Sequence, residues 1–369
     1  MMPTVKITPK QLFVIMVLFE LGSAVVVGLG TEAKQDAWIA ILLGMIGGIG
    51  LFYIYGLLFN RYPDLPLSIY AQKILGKWPG KIIACLYSIY FLYIGARVLR
   101  DFGELIVTSA LSETPLLVVN ILIIVIIIYG CILGIEVIGR SAEIFFMIFM
   151  ALGLIFIVLI FVSNQFKIEN LQPVLGEGWM PVLQTAYPSV LTFPFGEMVV
   201  FTMFLPFLNK PNTGLKTGMY AILFSGFIIT TTVIVQVGVI GVHQAANSTF
   251  PLLDTVGKIN IQDIIQRLDP IAILILMIGG FFKIIIFLFA STISLSSAVS
   301  IRNFHILAIF IACLTLGTSL LIEDNYLQHI QIGLDVVPNY IHPPFQIGIP
   351  LLLLLVMLVK KRRARKRGT

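Results

Sequence analysis

Apolar residues run along this chain in blocks of about twenty or more, separated by short polar connections. "LLVVNILIIVIIIYGCIL" is typical. Such runs are long enough to cross the roughly 30 Å hydrocarbon core of a bilayer as helices. They lack the strict alternation of barrel strands. The pattern predicts ten spans, near residues 9–31, 37–60, 81–111, 115–134, 138–163, 181–208, 215–241, 269–299, 304–322 and 344–360. Several exceed the minimum crossing length, which tilt accommodates.

One span interrupts itself. "SVLTFPFGEMVVF", 189–201, carries Pro194, Gly196 and Glu197 at its centre. Proline removes a helical N–H and clashes with the preceding turn. Glycine admits close approach and unusual backbone angles. The pattern fits a simple kink or an unwound stretch. If unwound, it frees backbone N–H and C=O groups at membrane depth, which are tolerated only beside protein or a cavity. The half-helix ends then present partial charges of both signs, an arrangement suited to a small amphoteric solute.

The first span holds a counterpart. "VLFELGSAVVVG" (17–28) stands beside "VLTFPFGEMVVF" (190–201); each begins Val-Leu, carries a glutamate near a glycine and continues Val-Val. Ten spans divide as five plus five, so the second copy crosses in the opposite direction. Inverted repeats with interrupted first helices are a common plan of secondary transporters. The expected fold is an all-α integral membrane protein of one domain, 1–369. Repeat one covers about 9–163 and repeat two about 181–322. A tenth helix follows at about 344–360, then a basic tail, 360–369.

Charge supports the membrane assignment. Of 369 residues, 58% are hydrophobic and 11% charged, against about 25% charged in soluble domains; the mean hydropathy is +1.01. With the N-terminus inside, 17 Lys and Arg fall in inner segments and 4 in outer ones. This bias places both termini in the cytoplasm. Seven of the 17 form "KKRRARKR", a juxtamembrane cluster that fixes topology and attracts anionic lipid without any need for nucleic acid. Two connections, "YPDLPLSIYAQKILGKWPG" and "FPLLDTVGKINIQDIIQRLDP", have the spacing of amphipathic helices, the second through Leu253, Val256, Ile264, Ile265 and Leu268. Nothing at the N-terminus resembles a cleaved signal peptide.

Six charges within spans stand out. Glu20 lies in span 1 and Lys283 in span 8; Arg97, Arg100, Asp101 and Glu104 lie in span 3. Glu197 adds a seventh. A central charge facing lipid costs about 2.5–3.5 kcal/mol on insertion scales, so these are expected to face one another. Arg97 and Asp101 are i,i+4 neighbours, as are Arg100 and Glu104; they either neutralise themselves or join a wider network. Lys283, with no helical partner nearby, is expected to pair with span 1 or span 6. Cys85, Cys131 and Cys313 form neither a disulfide framework nor a metal site. His243, His305, His329 and His342 fall near span ends without clustering and read as structural. No cofactor is expected. Enzyme chemistry finds no support in a phosphate loop or an assembled nucleophile–base pair.

At "ITPKQLFVIMVLFELGSAVVVG" with "QDAW", "RYPDLPLSIYAQKILGKWPGK", "ENLQPVLGEGWMPVL" and "FPFGEMVVFTMFLPFL", the chain resembles the B subunits of bacterial spore germinant receptors. These are a branch of the amino acid–polyamine–organocation superfamily. The resemblance covers nearly the whole chain, and "LQPVLGEG" is its most specific piece. It implies a LeuT-like fold with discontinuous helices 1 and 6, and a location in the inner spore membrane. It implies partnership with a larger A subunit and a lipoprotein C subunit, and sensing of a small germinant, most commonly an amino acid. By the same analogy the ligand-binding residues are Gly22, Ser23 and Ala24 of span 1 and Phe193, Phe195, Gly196 and Glu197 of span 6. The superfamily often carries a Gly-Ser/Ala-Gly run in helix 1, where this chain reads "GSAVVVG". The competing reading is a proton-coupled amino acid or polyamine transporter, with Glu20 or Glu197 titrating and Lys283 replacing a coupling sodium ion. A third is an ion or water conduit lined by span 3.

Overall fold

A computed structural model describes residues 6–260, 268–301 and 303–367, with side chains described through residue 361. Among these, the chain is helical apart from turns and one isolated bridge between Ile7 and Leu208. The first helix, α1 (Pro9–Ala24), begins on a capping box. Thr8 Oγ1 accepts from the Gln11 amide at 3.1 Å, Gln11 Oε1 accepts from the Thr8 amide at 2.9 Å, and Pro9 opens the helix.

The remaining helices are α2 (Ala37–Arg61), α3 (Leu67–Leu75), α4 (Lys77–Ser109), α5 (Leu116–Leu133), α6 (Ile135–Val162), α7 (Trp179–Gln184), α8 (Gly214–Asn247), α9 (Pro251–Gly257), α10 (Asp269–Val299), α11 (Phe304–Leu321), α12 (Tyr326–Gln331) and α13 (Ile349–Arg367). Eight helical stretches among the described residues are long and apolar enough to cross a membrane. Spans 1 and 6 are not among them, because each is broken. α1 stops after 16 residues. Span 6 is pieced from α7, a π-helical stretch Thr185–Val190 and 3₁₀ helices Phe195–Met203 and Leu205–Phe207.

The packing has the symmetry of an inverted repeat. Counterpart spans touch: α2 with α8, α4 with α10, α5 with α11, and α1 with Phe195–Met203. Neighbour relations recur as well. α1 lies on α8 as the span-6 segment lies on α2, and α4 lies on α11 as α10 lies on α5. A two-fold axis in the membrane plane generates such pairs. At the centre α1 crosses α10 through facing glycines: a Cβ on Gly22 would sit 2.7 Å from the Gly279 carbonyl oxygen, so only glycine permits this approach.

Two of the sequence motifs meet at one end of the bundle. The Leu175 amide of "LQPVLGEG" donates to both carboxylate oxygens of Asp36 in "QDAW", at 2.9 and 3.1 Å. Gln35 Nε2 donates to the Pro173 carbonyl at 3.0 Å, and Lys34 pairs with Glu177 at 2.5 Å. The loop before span 6 is thus tied to the loop after span 1. At the opposite end α3 buries Leu67, Tyr70, Ala71 and Ile74, as its amphipathic spacing predicts. There Lys360 Nζ, at the root of the basic tail, donates to the Ile74 carbonyl at 2.6 Å.

Three boundaries differ from the sequence reading. Span 1 does not run as helix to residue 31; it unwinds after Ala24 and resumes as a 3₁₀ helix over Thr31–Asp36. Of the connection expected to form an amphipathic helix through Leu268, α9 ends at Gly257, and Ile264 and Ile265 lie outside the described residues. Residues 326–343, read as an outer loop, are helical. α12 passes into π-helical stretches Ile332–Ile341 and Pro344–Gly348 before α13. Pro338, Pro343 and Pro344 lie within this stretch. The wider π turn shifts the hydrogen-bond register past missing amide donors and lets the helix continue.

Candidate functional site: a polar cavity between broken helices

The break in span 6 is stabilised from span 10. Unwinding at "TFPFG" leaves the Thr192 carbonyl without its helical partner, and Gln346 Nε2 donates to it at 3.0 Å. Gly196 packs on the Gln346 amide so closely that any side chain there would overlap Oε1. Gln346 Nε2 also donates to Tyr90 Oη at 3.0 Å, and that hydroxyl lies 2.9 Å from His342 Nδ1. Tyr90 accepts from Gln346, so its own proton goes to Nδ1. This arrangement assigns the remaining ring proton of a neutral His342 to Nε2, which faces Glu197 Oε1 at 4.0 Å. In span 1, the Ser23 carbonyl accepts from the Val26 and Val27 amides at 3.0 and 3.2 Å. The Val25 carbonyl faces Gln236 Nε2 of α8 at 3.5 Å.

Lys283 of α10 reaches across α1 to Glu197. Nζ lies 2.5 Å from Oε2, with both side chains buried. The contact is ionic: its angles fall outside those of a hydrogen bond. The ammonium also sits over the rings of Phe193 at 4.6 Å and Phe19 at 5.1 Å, which hold it by cation–π attraction. Glu20 is fully buried nearby, and neither of its oxygens has a hydrogen-bond partner among the described residues. The Ser225 hydroxyl beside it donates instead to the Ala221 carbonyl at 2.8 Å. Lys283 thus pairs with Glu197, while Glu20 lies within its electrostatic field without an ion-pair contact among the described residues.

A second cluster lies where α4 meets α12. Arg97 Nη1 pairs with Glu323 Oε1 at 2.7 Å, and its Nη2 bonds the His329 carbonyl. The two nitrogens of His329 face Glu323 Oε2 at 2.6 Å and Asp101 Oδ1 at 3.0 Å. Tyr326 donates to Asp101 at 3.4 Å and stacks on His329. The Arg97–Asp101 neighbours therefore do not neutralise each other. Each turns to the segment after α11, where a partner on another element fixes two helices together. Arg100 and Glu104 do form their i,i+4 pair, at 2.9 Å, and Arg100 also reaches the Ser319 carbonyl.

Between the clusters lies a cavity of about 50 Å³ whose polar lining is Ser23, Arg97, Asp101, Glu197 and His342, with Phe193 beside them. At about 10–15 Å³ per water, it has room for three to five. The stretch from Ile330 to Val337 forms its cover. Five residues singled out in the sequence thus share one cavity: Ser23, Phe193, Glu197, Arg97 and Asp101. Gly22 faces Gly279, Phe195 is buried against Gly48, Gly196 faces Gln346, and Ala24 is buried outside the lining. Lys283 reaches the cavity through Glu197; Glu20, Arg100 and Glu104 do not line it.

Sequence reasoning missed Tyr90, Glu323, His329, His342 and Gln346. The histidines, read as structural, belong to the two charged clusters. Gln346, an amide inside an otherwise apolar last span, was the available signal. Ser23 Oγ is buried and has no partner among the described residues. It can therefore offer a donor and two acceptor sites to a solute. With the Glu197 carboxylate opposite, the cavity can hold a small molecule carrying both hydrogen-bond acceptors and a positive group.

Comparison with known proteins agrees with this architecture. The profile of the family described as "Spore germination protein" matches residues 6–327. Spore germination protein KB of Bacillus subtilis (strain 168) is 41% identical over 365 residues, covering 99% of this chain and 98% of that protein. Spore germination protein YndE of the same organism is 29% identical, covering 80% and 81%. Two solved transporter structures share the fold. MhsT in complex with L-phenylalanine aligns with a TM-score of 0.66 at 14% identity, covering 96% of this chain and 99% of that one. Mhp1, a nucleobase-cation-symport-1 family transporter in a closed conformation with bromovinylhydantoin bound, aligns at 0.65 and 15% identity, covering 90% and 76%.

Proposed function

The chain belongs to the spore germination protein family, and from that premise we propose that it is the membrane-embedded B subunit of a spore germinant receptor. In this reading the whole chain, 1–369, is one transporter-like domain without catalytic activity. It sits in the inner spore membrane with both termini in the cytoplasm. It assembles with an A subunit and a lipoprotein C subunit, and its basic tail rests on anionic lipid. The germinant is an amino acid, held between broken helices 1 and 6.

One observation carries the reading: an unpartnered buried hydroxyl, Ser23, faces the Glu197–Lys283 pair across a cavity that both breaks border. The amino group would approach Glu197 and the carboxylate would use the unpartnered Ser23 hydroxyl. Signalling then requires only that the germinant bind one arrangement of the bundle better than another. The cover from Ile330 to Val337, tied to α4 through Arg97 and Asp101, is the element whose position would differ.

The test is thermal denaturation of the purified receptor complex against amino acids, sugars and nucleosides, since a ligand of the folded state raises its melting temperature by mass action. Stabilisation by an amino acid that is lost in Glu197→Gln supports the site. Stabilisation unchanged in that variant removes Glu197 from it.

A second reading, a proton-coupled amino acid or polyamine transporter, is favoured by the uneven count of two buried carboxyl groups, Glu20 and Glu197, around Lys283. Concentrative uptake of labelled amino acid into vesicles containing the lone chain would establish it; absence of uptake with retained binding would exclude it.

A further inference from the structure

A larger cavity lies away from the polar site. It opens between α6 and α8 beneath α9, has a volume of about 280 Å³, and is walled chiefly by Phe, Ile, Leu, Met and Val side chains. The hydroxyl protons on its wall are spent on backbone carbonyls within the protein. Thr231 and Thr232 donate to the Phe227 and Ile228 carbonyls of their own helix, and Thr255 to that of Pro251. Gln236 is turned toward the Val25 carbonyl. The wall therefore presents methyl groups, and a polar solute would lose its hydration here without replacement.

The mouth opens sideways. Leu154 of α6 and Phe227 of α8 are 64% and 69% exposed at its rim, continuous with the apolar outer face of a bundle that spans a membrane. The solvent at that mouth is hydrocarbon. Size narrows the occupant further. A cavity of about 150 Å³ with similar walls binds benzene, so this one accepts a longer flexible apolar chain. We propose that the crevice between α6 and α8 is a binding site for one acyl chain of a membrane phospholipid.

The site has a bearing on the broken helix. Its inner wall includes Val25, the residue at which α1 ends. An acyl chain in the crevice lies against that break, and its occupancy biases the position of the α1 end.

Gly153 lies on the wall, and a Cβ built there meets nothing within 4 Å, so a large side chain can fill the crevice from within. The experiment uses the full chain in nanodiscs of phosphatidylglycerol containing a trace of the same lipid with a photoreactive group midway along one acyl chain. Cross-links are mapped to peptides before and after Gly153→Phe. Saturable labelling of the α6 and α8 peptides, abolished in Gly153→Phe and retained in Gly153→Ala with an unchanged melting temperature, is the expected result. Labelling spread evenly over α5, α6 and α8, or equal in native chain and Gly153→Phe, overturns the proposal. So does labelling that an amino acid or other polar germinant displaces directly, because the crevice would then be part of the solute pathway. None of these readouts depends on signalling, so failure here leaves the receptor assignment standing.

Discussion

Lys283 Nζ and Glu197 Oε2 are 2.5 Å apart, joining α10 to the broken span 6 through the interior of the bundle. Removing the ammonium leaves the buried Glu197 carboxylate without its counter-charge. Lys283→Met is expected to destabilise the protein by about 3–5 kcal/mol, the cost of an uncompensated buried charge. Lys283→Met combined with Glu197→Gln should recover most of that loss. Thermal melts of the four proteins in detergent, read as a double-mutant cycle, measure the coupling.

Ser23 makes no side-chain hydrogen bond within the protein. Ser23→Ala should therefore leave the melting temperature of the ligand-free protein unchanged. It should weaken binding of the germinant about fivefold, the equivalent of one hydrogen bond of about 1 kcal/mol. Titration of the purified complex with the stabilising ligand checks both halves.

Gln346 closes the break in span 6 by donating to the Thr192 carbonyl and to Tyr90. Gln346→Leu keeps the volume and removes the donor. It should cost about 1–3 kcal/mol through the unsatisfied carbonyl. Gly196→Ala should be at least as damaging, because its methyl overlaps the same amide. If Gly196→Ala costs stability in the native chain but adds no further loss to Gln346→Ala alone, this overlap is the cause.

The cover over the cavity is held by Arg97–Glu323 and His329–Asp101. Glu323→Gln weakens both Arg97 and His329 contacts at once. A cysteine placed by Ser23→Cys should then react faster with a water-soluble thiol reagent than the same cysteine in the otherwise native chain. An unchanged rate would mean that the charged cluster does not control access.

Much of this architecture was legible in the sequence because a membrane imposes few solutions. The apolar runs mark the spans, while the Pro194–Gly196 break and the Glu20 and Lys283 charges violate the rules of lipid-facing helices, and each violation marks the interior. That Lys283 would pair with span 1 or span 6 followed from its lack of a local partner; the choice of Glu197 on span 6 did not. The Arg97–Asp101 spacing misled for a physical reason: an i,i+4 interval permits a pair but does not compel one when Glu323 and His329 offer better-placed partners. Residues 326–343 lie outside the expected spans, and π-helical register has no signature in the sequence that would have shown their helix. His342 and Gln346 were missed together, since their importance comes from facing a break five helices away in the chain.

The bridge between Ile7 and Leu208 carries a final consequence. The Ile7 amide donates to the Phe207 carbonyl at 2.8 Å and its carbonyl accepts from the Asn209 amide at 2.9 Å. This clasp is made by main chain alone, so no exchange of one ordinary side chain for another dissolves it. A carrier whose N-terminal segment swings away from the end of span 6 would unfasten the clasp on every cycle; a sensor whose rearrangement spares that end would keep it closed. Exchange of the Ile7 and Asn209 amide protons, slow in one case and fast during turnover in the other, is thus a clock that tells the two occupations apart without any knowledge of the solute.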